Sequence, residues 1–127
     1  MLDELLHVLA RALLRISSPL KTYELLCEVG SVLPQRKSYA AVRSAFLGLS
    51  RRGTCLSRAM AIAARAPNVE IVIGLLPRSG VESMLAHAWL EFEGVPVDCA
   101  EARGVELARI PTGRTSRRVA CGDAKRG

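Results

Sequence analysis

Apolar residues recur at three- and four-residue intervals through the first fifty positions. Leu2, Leu5, Leu6, Leu9, Leu13 and Ile16 form one stripe, which predicts a helix of about four turns that Ser17-Ser18-Pro19 should end. Tyr23, Leu26, Val29 and Leu33 repeat the pattern up to Pro34, and Val42, Ala45, Phe46 and Leu49 carry it toward Arg52. Residues 1–52 are therefore expected to be helical, as one segment of a single domain. Gly53-Thr54 then breaks the pattern. Thr54 suits the N-cap of a helix from Cys55 to about Ala66, just before Pro67-Asn68.

Beyond that helix the period changes to that of strands. Val69 to Leu76 is a β-branched and aliphatic run, read as a buried strand, followed by a polar loop from Pro77 to Ser83. Met84 to Phe92 reads as a second strand, Glu93-Gly94 as a turn and Val95 to Ala100 as a third strand folding back on it. A two-residue turn sets Phe92 opposite Val95, Leu90 opposite Val97 and Trp89 opposite Asp98. His87 then shares a face with Trp89, and Asp98 becomes its diagonal neighbour at roughly 7 Å. One face of the hairpin is apolar, with Ala86, Ala88, Leu90, Phe92, Val95 and Val97. The other carries His87, Trp89, Glu91 and Asp98 and is the candidate site. The predicted class is α+β, with N-terminal helices packed on a small antiparallel sheet: residues 53–103 supply the catalytic helix and sheet core, and 104–127 a basic tail able to stay flexible.

A chain of 127 residues fits one domain burying roughly two-thirds of its unfolded surface, with no room for a second catalytic domain. Half of its residues are hydrophobic but few are aromatic, which predicts an aliphatic core and argues against disorder. No apolar run approaches the ~20 residues of a membrane span, and acids stand where a secretory signal carries bases. Four cysteines, Cys27, Cys55, Cys99 and Cys121, lack CxxC spacing, so free thiols in a cytoplasmic setting are expected. The net charge of +6 is gathered partly in the tail at Arg114, Arg117, Arg118, Lys125 and Arg126. Without interleaved aromatics this reads as a solvated tail rather than a nucleic-acid surface.

Cysteine, histidine and aspartate in that order suggest a thiol nucleophile, its base and an orienting acid: Cys55, His87 and Asp98. Cys55 would lie in the first turn of its helix, where free amides and the dipole favour a thiolate. Comparable placements with a neighbouring His⁺ lower a cysteine pKa from about 8.5 to roughly 3.5–7.5. Amides of the same turn could stabilise an oxyanion. The order alone is weak, because four cysteines and two histidines supply it by chance. Blander readings accompany the other residues: Trp89 as core more often than as a wall of the substrate cleft, Glu91 as solvated, and Arg58 as a surface arginine or its ion partner. His7 is expected to be exposed on its helix, and Cys27, Cys99 and Cys121 to be structural thiols. A zinc site through Cys55 and His87 lacks the paired ligand spacing such sites use.

Context adds specificity. Cys55-Leu56-Ser57-Arg58-Ala59, then Leu85-Ala86-His87-Ala88-Trp89-Leu90-Glu91, then Gly94-Val95-Pro96-Val97-Asp98 resemble the three motifs of the B2 proteins of lasso peptide biosynthesis, which are transglutaminase-like cysteine peptidases of papain-like fold. The resemblance covers about residues 35–100. It implies Cys55 as nucleophile, His87 as general base and acid and Asp98 as orienting acid in cleaving a leader from a precursor peptide. The helical N-terminal segment does not resemble the winged-helix module that grips the leader in this family, which implies a separate leader-binding protein of B1 type. An ATP-dependent macrolactam synthetase is the other implied partner. No cofactor is implied for the chain itself, which has no glycine-rich phosphate loop, so ATP would act through that partner. A catalytically silent domain that binds and presents the precursor is the alternative, and a transamidase using the same thioester is a variant of the enzyme.

Overall fold

The computed structural model describes residues 2–77, 84–97 and 105–110. Four helices precede the sheet: α1 (Leu2–Leu14), α2 (Pro19–Gly30), α3 (Tyr39–Gly48) and α4 (Cys55–Ala63). Each of the last three starts where a hydroxyl caps it. Ser18 accepts from the Lys21 amide ahead of Pro19, Ser38 from the Ala41 amide and Thr54 from the Ser57 amide. No described helix is long and apolar enough to cross a membrane.

Strands β1 (Val69–Pro77), β2 (Met84–Phe92), β3 (Val95–Pro96) and β4 (Val105–Ile110) form one antiparallel sheet in the order β3-β2-β1-β4. Phe92 pairs with Val95 and Glu91 with Pro96, and the Val97 amide donates to the Leu90 carbonyl at 2.9 Å. This is the register a two-residue turn requires. Glu93 and Gly94 both have positive φ, 50° and 88°, the geometry of the tight turn that matches strand twist. The fold is α+β as expected, and Ile71, Ala88, Leu90, Val97 and Ile110 on one face of the sheet join Met60, Ile62, Leu26, Leu6 and Val42 in the core.

Five expectations change. Strand β3 is shorter than Val95 to Ala100, and Asp98 and Cys99 lie outside the described residues, as does Cys121. Helices α2, α3 and α4 end three or more residues early, their last turns tightening into short hydrogen-bonded turns such as Leu33 to Gly30 and Ala66 to Ala63. Residues 105–110, read as the start of a tail, form an edge strand paired with β1; Val105 and Leu107 are exposed, so the run lacks the apolar signature of a core strand. The face that α1 buries is also rotated. Asp3, Leu6, His7 and Ala10 point inward, while Leu5 and Ile16 are 61% and 79% exposed. The inward polar groups have partners that sequence spacing could not reveal. Asp3 takes two bonds from Arg36 at 2.7 and 2.6 Å and one from Arg65 at 3.3 Å, while Arg65 also donates to the Pro34 carbonyl. His7, expected at the surface, is fully buried.

Candidate active site

Cys55 opens α4 because Gly53 and Thr54 stop the chain from continuing α3 and Thr54 caps the new helix. The cap is reciprocal: Thr54 Oγ1 accepts from the Ser57 amide at 3.1 Å and Ser57 Oγ accepts from the Thr54 amide at 3.0 Å. Ser57 is held from behind by His7, whose Nε2 lies 3.0 Å from the Ser57 hydroxyl. That hydroxyl also lies 3.0 Å from the Thr54 carbonyl. When its one proton goes there, His7 Nε2 is the donor and the buried Nδ1, which has no partner, is the unprotonated nitrogen. Burial and then Arg11 push the His7 pKa below its ordinary value, with Glu4 opposing them and Arg58 adding a smaller push. A neutral imidazole thus braces the turn that carries Cys55. Thr54 after Gly53 announced the cap; its reciprocal partner Ser57, and His7 fifty residues away, were not marked.

The half-buried Cys55 Sγ reaches the edge of β2 just past the point where β3 stops. Leu90 meets Val97 through its carbonyl, which accepts the Val97 amide, and two residues earlier the Ala88 amide donates to Cys55 Sγ at 3.3 Å. His87, beside Ala88, hydrogen-bonds the thiol. That bond is the main reason the Cys55 pKa falls below its ordinary value; burial opposes it, and the Ala88 amide, the His87 charge and the Leu56 amide add to it. The thiol is thereby easier to ionise, beside an imidazole at a helix N-terminus.

The structure brings Cys55 and His87 together. Asp98 lies outside the described residues, although the chain entering it is fixed: the Tyr39 hydroxyl is 3.1 Å from the carbonyl oxygens of both Pro96 and Val97. Tyr39 and Ser57 are site-forming residues that no sequence pattern marked. Trp89 shares the His87 face, its ring stacked on the imidazole at 6.2 Å and 19°. It is only 2% exposed, so it packs beneath His87 instead of walling a cleft. Glu91, expected in solvent, is buried and bonded to Trp89 and Arg109. Arg58 turns toward α3, donating to the Ser50 and Phe46 carbonyls and covering the Phe46 ring. Among the described residues no three His, Cys, Asp or Glu side chains gather to hold a metal ion.

The sequence model of the transglutaminase-like superfamily matches residues 6–112. The chain belongs to the transglutaminase-like superfamily. The match takes in α1 and β4 as well as the Cys55–His87 region, so the helical segment and the last strand are part of the superfamily domain. Searches of curated proteins and of solved structures return no match. Superfamily members are usually cysteine peptidases or transferases, chemistries that share a thioester and differ in whether water or an amine accepts the acyl group.

Proposed function

We propose that this transglutaminase-like domain is the leader peptidase of lasso peptide maturation. The observation that carries the enzymatic reading is the Cys55 thiol held between the His87 side chain and the Ala88 amide at the start of α4, with its pKa lowered chiefly by His87. The lasso assignment rests on the resemblance of the three motifs around Cys55, His87 and Asp98. In the proposed reaction the Cys55 thiolate attacks the carbonyl carbon of the last leader residue. Helix geometry leaves the Cys55 amide without an intrahelical acceptor, placed for the developing oxyanion. The imidazolium of His87 gives its proton to the departing amine of the core peptide. Neutral His87 then takes a proton from water, whose oxygen attacks the thioester and frees the leader carboxylate and the thiol. Asp98 orients the imidazole.

A separate leader-binding protein delivers the precursor, and a macrolactam synthetase consumes the new N-terminus. The test is mass spectrometry of a candidate precursor incubated with the chain, the leader-binding protein and the synthetase. The expected result is an intact leader released by the native protein and not by Cys55→Ala. Cleavage by Cys55→Ala would remove the nucleophile assignment, and no cleavage by either would favour a silent presenting domain. A product carrying an added amine in place of the new carboxylate would identify a transamidase.

A further inference from the structure

We infer that Glu91 and Arg109 are positioning residues for the Cys55–His87 pair, acting through the Trp89 indole, so that the last strand of the sheet belongs to the catalytic apparatus. This rests on reading Cys55 and His87 as the reacting pair.

The outer face of the sheet is a grid of three rows. Glu91 lies opposite Glu70; Trp89 opposite Val72, which lies opposite Arg109; and His87 opposite Gly74, which lies opposite Glu106. From the middle row the Arg109 guanidinium meets Glu91 Oε1 at 2.7 Å, Glu106 at 2.7 and 2.8 Å and Glu70 at 3.3 Å. The second oxygen of Glu91 accepts the indole N–H of Trp89 at 3.3 Å. One carboxylate therefore joins a guanidinium on β4 to the ring that stacks on His87.

The indole is held on three sides. Glu91 fixes its N–H, His87 stacks near-parallel to it at 6.2 Å, and its six-membered ring lies against Gly74, where an added Cβ would come within 2.7 Å of Trp89 and would run into the Val105 carbonyl of β4. An imidazole packed on a fixed ring keeps fewer orientations than one facing solvent, which holds its nitrogen on the Cys55 thiol. Cys55 from α4 meets His87, and the charged groups on this face of the sheet are Glu91 from β2, Glu70 from β1, and Glu106 and Arg109 from β4, with Arg109 bonded to all three carboxylates.

Trp89 is the single tryptophan, so its emission reads this arrangement without a substrate. A protonated imidazole stacked on an indole quenches it. The native emission should rise with pH as His87 loses its proton, a transition that His87→Gln abolishes. Arg109→Gln should lose most of that pH-dependent amplitude. It should also raise the pH midpoint of Cys55 alkylation by iodoacetamide by about half a unit, roughly threefold less thiolate below the midpoint. Arg109→Lys, which keeps a charge, should recover part of both. Glu106→Gln alters an exposed carboxylate and should give a smaller shift of the same sign. A cooperatively folding Arg109→Gln with native quenching and a native alkylation midpoint would overturn the inference. If Arg109→Gln does not fold, Glu106→Gln decides in its place: no change in either readout overturns it. Neither readout uses peptide cleavage, so the peptidase reading can fail without deciding this one.

Discussion

Two histidines meet the first turn of α4 from opposite sides. His7 lies behind it, fully buried against Ser57, and His87 lies in front, half-buried against Cys55. The difference is environment. His7 is surrounded by α1 and α4 with Arg11 and Arg58 near it, so protonation is disfavoured and its role is to brace the cap. His87 stands on β2 beside an ionisable thiol, which it hydrogen-bonds and whose pKa it lowers. On the proposed reading, one imidazole supplies rigidity and the other supplies chemistry.

The sharpest way to break this comparison is to delete each ring. His87→Ala should cut turnover on the order of 10²–10⁴-fold while changing the melting temperature little, as measured by cleavage kinetics and thermal unfolding. His7→Ala should do the reverse, costing about 2–4 kcal/mol in urea unfolding through the cavity and the lost bond, with folded molecules still alkylated at Cys55. If His7→Ala were stable and inactive, the division of roles would be wrong.

Next in size is pH. The His7 pKa is lowered in the fold from its ordinary 6.5, so the unfolded chain binds the proton more readily. Its stabilisation is complete above 6.5 and is lost as pH falls from there toward the folded value. The urea midpoint of the native protein should therefore drop below pH 6.5 more steeply than that of His7→Gln; parallel curves would contradict the buried neutral ring.

Smaller still is Thr54→Ala. Removing the cap should cost about 1 kcal/mol and slow alkylation of Cys55, because the turn that presents it loosens. A loss of stability with unchanged alkylation would show that the cap holds the helix without tuning the thiol.

What was legible in the sequence was local. The period of two, the Glu93-Gly94 turn and the length of the hairpin fixed the pairing of Phe92 with Val95, and a hydroxyl after Gly53 marked the start of α4. These features are set by neighbours in the chain. His7, Glu91 and Arg109 were misread or missed because their partners are Ser57, a face of three strands and an edge strand recognised only through pairing with β1. A polar residue on an apolar stripe looks exposed until its distant partner is known. The rotation of α1 onto Asp3 and His7 has the same origin: Asp3 turns inward to Arg36 and Arg65 while Leu5 is left exposed.

The most direct test of the central claim is the pH dependence of Cys55 alkylation by iodoacetamide, read by peptide mass mapping to separate it from the other thiols, in native protein and in His87→Ala. The account predicts a midpoint below that of an ordinary cysteine in the native chain, moving up toward the ordinary value when the imidazole is removed. Equal midpoints in the two proteins would mean that Cys55 and His87 are neighbours and not a reacting pair.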